Sequence, residues 1–380
     1  METTMKQRVI AAFEKKFGRQ PAVVVRAPGR LEILGNHTDY NEGTVLSVAV
    51  DRAMTIAAGK TQGSVCELYD DIISSSRSFD AATIGPATKG DWANYIKGIV
   101  LEFQRRGINV PAFQATLAGT VPLSAGMSSS AALEMAMVIA LQNLSGANLS
   151  WLDQAKIGQA AENHYVGANT GLLDQVSSLR GRHNQLVCSD FRSMEVHNVP
   201  MPDGAAFVVA NCMVKHNLTN EYNERREACE DAARTLGVKA LRDVSPEQLL
   251  AAKDRLNPVS FRRALHVVGE IDRVARGSEA LANGRLDVFG QLMFESHQSS
   301  IDNFENSIPE LDTLVDIAKT LPGGYGARLS GGGFGGITVH LVRKDAAEQY
   351  RDQLVKAYKE RTGLETQAMI CEAAEGAAII

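Results

Sequence analysis

Cysteine is scarce in this chain. Its five thiols (Cys66, Cys188, Cys212, Cys229 and Cys371) are odd in number and widely spaced among 380 residues. No Cys-x-x-Cys pair occurs, which argues against a disulfide framework or a zinc site and favours idle thiols in a reducing cytosol. Long hydrophobic runs are also missing. No apolar stretch reaches 18 residues, so no membrane-spanning helix is expected. The opening METTMKQRVI has no apolar signal core, and a cytoplasmic protein is expected. Basic blocks are absent too: 39 Lys and Arg stand against 44 Asp and Glu, a net charge of −5 spread along the chain. Nucleic acid is therefore not an expected partner. Proline is sparse, 11 residues against 33 glycines, which points to tight loops rather than a disordered linker. There is no internal repeat and no low-complexity tract.

What is present is ordinary globular composition, 44% hydrophobic and 22% charged, at a length that favours two domains. Met5, Val9, Ile10, Phe13 and Phe17 recur at helical spacing, so the chain opens with an amphipathic helix. AVVVRAP reads as a strand stopped by Pro28, and TVLSVAVDRAMTIAAG alternates like sheet. WANYIKGIVLEFQRRG reads as a helix ending at Gly107. AALEMAMVIALQNLSG is so apolar that its helix must be buried. DQAKIGQAAENHYVG reads as another helix. The pattern restarts near residue 205 with the strand AAFVVANC, followed by several helices, the segment GARLSGGGFGGITVHLV and a last helix, DAAEQYRDQLVKAYKERTG. A boundary is expected near residue 200, at VPMPDG, dividing 1–200 from 201–380.

Three loops carry the chemistry. In VPLSAGMSSSAALEMAM, small residues lead straight into a helix start. Such a loop lets an anion approach free backbone amides at the positive end of the helix, and a serine hydroxyl can ligate Mg²⁺. A serine capping a core helix is the competing reading. No Gly-Lys-Ser/Thr follows, so this is not a Walker loop, and GPATKGD has the glycines without the lysine. In LSGGGFGGITVHL, Gly331, Gly333 and Gly336 satisfy G-x-G-x-x-G. That fingerprint needs a helix after it, whereas ITVHLV is strand, so a dinucleotide site is not expected. Five glycines in six residues still exceed the needs of a turn, and something is expected to pack closely on this loop. In ENHYVGANTGLLDQVSSLRG, Glu162 and Asp174 lie twelve apart around a glycine-containing turn. Two converging carboxylates can divide metal binding from base catalysis, although from spacing alone two unrelated surface acids fit better. Asp174 follows two leucines, a setting in which a carboxylate wants an arginine partner.

RLEILGNHTDYNEG, residues 30–43, ends an apolar run in a burst of hydrogen-bonding side chains. His37 and Asp39 have no further metal ligands near in sequence. A polyhydroxylated ligand suits them better, since Asp accepts from hydroxyls while Asn, His and Tyr each donate or accept.

Taken together and in this order, the motifs resemble the galactokinases of the GHMP small-molecule kinase superfamily. GRLEILGNHTDYNEGTVL looks like the galactokinase sugar signature, VPLSAGMSSSAALE like the superfamily's phosphate loop, and GARLSGGGFGGITV like its C-terminal glycine motif. DWANYIKG, AENHYVG, GLLDQVSS, HNLTNEYNERREAC and SIPELDTLV also match, so the likeness runs from about residue 20 to the C-terminus. The resemblance implies an α+β, two-domain fold. Its N-terminal α/β domain has a mixed sheet, its C-terminal domain is ferredoxin-like, and the active site lies in the cleft between them. It implies transfer of the ATP γ-phosphoryl to the anomeric hydroxyl of a hexose, with MgATP and a small sugar as partners and a monomer as the simplest state. By position, Asp174 is then the catalytic carboxylate and Arg30 its partner. Asn36, His37, Asp39, Gly171 and Tyr222 fall on sugar-contacting positions. Ser124, Ala125, Gly126, Met127, Ser128, Ser129 and Ser130 wrap the phosphates, Trp92 lies beside the nucleoside, and Ser130 and Glu162 are associated with Mg²⁺.

The chain departs from the family at one place. Asn36 stands where a glutamate is usual, and LEILG replaces the commoner VNLIG, which brings in Glu32. If the strand continues, residues 32, 34 and 36 share a face, so Glu32 is a candidate to replace the missing charge, to pair with an arginine or to face solvent. Asn36 is accordingly the expected point of altered specificity. Two alternatives follow: the same chemistry on a uronic acid, an N-acetylhexosamine or an inositol, or a non-catalytic sugar sensor. The intact Ser130, Ala131, Ala132, Asp174 and Arg30 weigh against the sensor.

Overall fold

Residues 4–122, 126–168, 170–214 and 219–380 are described by the computed structural model. The amphipathic helix α1 (Met5–Phe17) starts on a Thr4–Gln7 capping box and ends at Gly18, which has a φ of 69°. It lays Val9 and Phe13 on the sheet behind it. Strand β1 (Val23–Leu34) pairs antiparallel with β2 (Thr44–Lys60), and their register shifts between Pro28 and Arg30 and again between Glu32 and Leu34. Pro28 was expected to end the first strand, but β1 runs through it. A bulge absorbs the ladder hydrogen bond that proline cannot donate.

The hairpin β3 (Val65–Asp70) and β4 (Ser75–Asp80) is followed by α2 (Ala93–Arg105) and β5 (Phe113–Gly119). Next come the buried helix α3 (Ser129–Ser145), α4 (Trp151–Ala161), a π-helical turn at Glu162–Val166, and α5 (Leu173–Arg180). Strands β6 (Gln185–Asp190) and β7 (Val196–Pro200) complete the first half of the chain. The first sheet has the order β12-β1-β2-β5-β3-β4, with β6 pairing the first part of the long β2 and β7 beyond it. Only β3 and β5 run parallel, so the sheet is mixed.

The second sheet begins with β8 (Ala205–Asn211). Helices α6 (Thr219–Leu236), α7 (Pro246–Ala251), α8 (Pro258–Ala282), α9 (Leu286–Ser299) and α10 (Pro309–Ala318) follow, with a second π-helical turn at Ser300–Phe304. Then come β9 (Gly324–Ser330), β10 (Ile337–Arg343), α11 (Ala347–Thr362) and β11 (Gln367–Cys371). The four strands lie in the order β11-β8-β10-β9, all antiparallel, which is the ferredoxin-like arrangement. The short β12 (Ala378–Ile379) then returns to pair with Val25 and Arg26 of β1, so the chain end clips onto the first sheet.

One apolar core joins β1, β2, β5, α2 and α3 with residues of α8, α9, β8 and β10, so the two sheets share packed side chains. All five cysteines are free and buried. Among the described residues, no helix is long and apolar enough to cross a membrane.

Candidate active site

Arg30 and Asp174, brought together from two different elements, line one cavity of about 280 Å³. Arg30 is on β1, and Asp174 is in the first turn of α5. Helix α5 is pinned to the sheet by two buried hydroxyls: Ser177 meets Ser47 at 2.7 Å, and Ser178 donates to the Pro28 carbonyl at 2.7 Å. Arg30 then donates to both carboxylate oxygens of Asp174, Nε to Oδ1 at 2.7 Å and Nη2 to Oδ2 at 2.9 Å. Such a two-point contact fixes orientation as well as charge. The third guanidinium nitrogen, Nη1, donates to the Gly126 carbonyl at 2.7 Å, which ties the pair to the loop before α3.

That loop presses on β1 at Gly29. A side chain there would meet the Met127 carbonyl at 2.6 Å, so only glycine allows the approach. Ser128 has a φ of 53° and gives α3 no side-chain cap. Its hydroxyl donates instead to Asp174 Oδ2. The serine-cap reading of this loop therefore does not apply to Ser128. Among the described residues, the first-turn amides of α3, those of Ser129 and Ser130 among them, have no side-chain partner at the positive end of the helix, where an anion is favoured. Ser124 and Ala125 lie outside the described residues.

Glu162 opens the first π-helical turn and is buried. Thr170 Oγ1 donates to its Oε2 at 2.8 Å, and Gln175 Nε2 does so at 3.3 Å. Burial and the neighbouring Asp174 charge push its carboxyl up, against those hydrogen bonds. Gln175 also donates to Glu134 at 2.9 Å, whose other oxygen is buried with no partner among the described residues. The donor set suits Mg²⁺. A carboxylate and a hydroxyl stand beside a second carboxylate, and excess negative charge there calls for a cation. No group of three protein ligands exists among the described residues. Mg²⁺ ordinarily takes one or two protein carboxylates and completes its shell with phosphates and water.

The cavity is also lined by Glu32, Asn36, His37, Asp39, Gly171, Tyr222 and, from the glycine loop, Gly331 and Gly332. His37 has a φ of 60°. Its Nε2 faces the Gly332 carbonyl at 3.2 Å and therefore carries the proton, so Nδ1 accepts from the Tyr40 hydroxyl at 2.9 Å. Burial pulls its pKa down to about 4, and the ring is neutral. Tyr222 packs beside it, ring centroids 5.1 Å apart, and burial pushes the phenol well up. Asp39 lies flat against Gly171, where a Cβ would fall 1.7 Å from its Oδ2. Burial, then the charges of Glu32 and Asp174, raise its pKa to about 7.

Asn36 does not continue the strand. β1 ends at Leu34, and Gly35 turns the chain with a φ of 95°. The same turn folds Asn36 back onto Glu32, to which its Nδ2 donates at 2.8 Å. Nδ2 also donates to the Gly331 carbonyl at 2.9 Å, and Oδ1 accepts from Asn306 at 3.1 Å. The backbone amides of Gly35 and Asn36 donate to Glu270 at 2.9 and 2.8 Å. Burial pushes Glu270 up, but Arg273 and its other neighbours more than reverse this.

The glycine loop is packed as its composition required. A Cβ on Gly333 would lie 2.2 Å from the Asn306 carbonyl, and strand β10 rather than a helix follows the loop. Trp92 precedes α2 at its N-cap position, with the Arg77 guanidinium 5.9 Å from its ring centroid, and its indole nitrogen is buried with no partner among the described residues.

Sequence reasoning missed Arg328, Asn306, Glu270, Glu134 and Gln175. The one local signal was Arg328, a charge inside the otherwise apolar strand of GARLSG.

Comparison with known proteins gives three family matches in chain order. They are the galactokinase galactose-binding signature at residues 11–60, the GHMP kinase N-terminal domain at 94–182 and the GHMP kinase C-terminal domain at 278–360. Galactokinases of Glaesserella parasuis serovar 5 and Haemophilus influenzae are each 40% identical over 377 residues, 97% of this chain and 97% of theirs. The crystal structure of Lactococcus lactis galactokinase complexed with galactose superposes with a TM-score of 0.92 at 28% identity, covering 98% of both chains.

Proposed function

This chain belongs to the galactokinase family of the GHMP kinases, and from that premise we propose that it transfers the γ-phosphoryl of ATP to the anomeric hydroxyl of galactose. The observation that carries the reading is the single cluster in which Arg30 and Ser128 both hold Asp174 between an uncapped helix start and a hydroxyl-reading wall.

In this reading Asp174 orients the anomeric hydroxyl and accepts its proton as the sugar oxygen bonds to the γ-phosphorus. The bond from that phosphorus to the bridging oxygen of ADP breaks, and ADP leaves with the electron pair. Phosphoryl transfer asks mainly for positioning and charge neutralisation. Arg30 supplies both, keeping the Asp174 carboxylate in place and setting a fixed cation beside the transferring group. The amides of Ser128, Ser129 and Ser130 hold phosphate oxygens, together with the loop from Ser124 to Met127. Ser130 and Glu162 would hold Mg²⁺, which when bound neutralises phosphate charge. Trp92 borders the nucleoside. Asp39, with Gly171 leaving room for it, accepts from sugar hydroxyls, while His37 and Tyr222 form the wall beside it.

All these groups come from one chain, which fits activity as a monomer, and dependence on ATP fits a cytosolic enzyme. Residues 1–200 and 201–380 are proposed as its two domains. An ADP-release assay over galactose, talose, galactosamine, N-acetylgalactosamine, glucuronate, galacturonate and inositols tests the function. Turnover is expected with galactose; tight sugar binding without turnover of any sugar would make the protein a sensor.

A further inference from the structure

Deepening the kinase reading on which it rests, we infer that Glu32 is the specificity-determining carboxylate of the sugar pocket, with Asn36 and Arg328 as the positioning residues that aim it. Glu32 and Arg30 are two residues apart on a regular part of β1, paired with Ser47 and Ala49 of β2. Their side chains share a face and are offset by about 6–7 Å of strand. Arg30 marks the phosphoryl-transfer end. Glu32 therefore meets the sugar on the side of the ring away from the anomeric hydroxyl.

Its two oxygens differ. Oε1 accepts from Asn36 Nδ2 at 2.8 Å and from Arg328 Nη1 at 3.1 Å. Oε2 accepts no hydrogen bond from the described residues, and Glu32 lines the cavity. The side chain is thus clamped by one oxygen and offers the other.

The charge is required at position 32. Arg328 is fully buried, and among the described residues its one carboxylate partner is Glu32; its other hydrogen bonds there go to the carbonyls of Glu32 and Ile33 at 3.5 and 3.3 Å. A neutral residue at 32 would strand that guanidinium. A carboxylate at 36 would face Glu32 Oε1 and the Gly331 carbonyl, two acceptors at the positions where Asn36 now donates. Positions 32 and 36 are therefore coupled: one acid and one amide, not two acids.

The consequence for substrate is chemical. Glu32 Oε2 accepts only, so it selects a hydroxyl. With Asp39 and Asp174 in the same cavity, it repels a substrate carboxylate. The pocket is built for a neutral hexose and against a uronic acid.

The test uses the full-length protein, with calorimetric Kd and ATP-dependent turnover measured for galactose, 4-deoxygalactose, 6-deoxygalactose and galacturonate. Wild type is expected to bind galactose and to show no detectable binding of galacturonate. E32Q is expected to weaken galactose binding by about 10–100-fold, with that penalty missing for the deoxy sugar that lacks the hydroxyl Glu32 reads. N36E is expected to weaken binding similarly, and the exchange variant E32Q/N36E to recover at least half of the loss on a logarithmic scale. An equal loss for galactose and both deoxy sugars in E32Q would overturn the assignment, as would an unchanged Kd or wild-type binding of galacturonate as tight as galactose. If E32Q does not fold, the wild-type panel decides alone: neither deoxy sugar weakened relative to galactose counts against the inference. Wild type that turns over no sugar would sink the kinase reading instead, before any variant is compared.

Discussion

Arg30 grips Asp174 by both oxygens, at 2.7 and 2.9 Å, across a sequence separation of 144 residues. The arginine side chain is nearly enclosed, while the carboxylate keeps about a quarter of its surface open to the cavity. A held but reachable acceptor is what a sugar hydroxyl needs.

Asp174→Asn is expected to lower kcat by roughly 10²–10⁴-fold, the usual worth of a positioned general base, with ATP affinity changed less than threefold or so. Asn cannot accept from Arg30 at both atoms, nor take a proton at neutral pH. Steady-state kinetics with calorimetric ATP binding checks this, and near-normal turnover refutes the role.

Arg30→Ala is expected to lower kcat more than it raises the galactose KM, because the guanidinium acts on Asp174 and the transferring group. A change confined to KM would move Arg30 to a binding role.

With its carboxyl raised to about 7, Asp39 is expected to make sugar affinity depend on pH if it accepts from the sugar as proposed. Its acceptor form grows from about a tenth at one unit below the pKa to about nine-tenths one unit above. The galactose KM is expected to fall up to about tenfold between pH 6 and pH 8, and Asp39→Asn to abolish that slope. Stability runs the opposite way. A folded-state pKa above the ordinary carboxylate value means that Asp39 costs stability progressively as pH rises from about 4 to about 7. Asp39→Asn should therefore raise Tm at pH 8 and leave it nearly unchanged at the acid end of that window.

Gly171→Ala would put a methyl group 1.7 Å from Asp39 Oδ2 and push the carboxylate aside. The expected result is a galactose KM raised about tenfold, the worth of one charged hydrogen bond, with Tm little altered. Unchanged KM would show that Asp39 can move without cost.

Glu162→Gln is expected to raise the Mg²⁺ concentration for half-maximal turnover by about tenfold or more, in the range seen when metal-site partners are lost. Chelation with EDTA should abolish turnover while calorimetric galactose binding persists. Loss of sugar binding on chelation would place the cation in the sugar wall instead.

Helix and strand order was readable from periodicity because α1, α2 and α3 bury one face or all of it, and burial imposes its period on sequence. Pro28 misled because a bulge two residues long is a local accommodation that no propensity signals. The Glu162 turn was read as ordinary helix, since a π-turn leaves the residue pattern unchanged while re-aiming the side chain.

The Arg30–Asp174 pair could be expected from sequence, because an acid after two leucines needs a cation and the motifs resemble a family that supplies one. The uses of Ser128 and Asn36 could not. Whether a serine at a helix start caps the helix or bonds Asp174 depends on where α5 lies, and α5 is placed by packing on β1 and β2. Likewise, the bonds of Asn36 to Glu32 and Asn306 depend on the turn at Gly35 and on the C-terminal half of the chain, which brings up Arg328 on β9 and Asn306 in the loop before α10. By itself the chain's sequence determined the elements, the family and the residue types available to the site. Tertiary structure alone decided which oxygen faces protein and which faces the cavity, because hydrogen-bond partners hundreds of residues apart are chosen by packing and not by spacing.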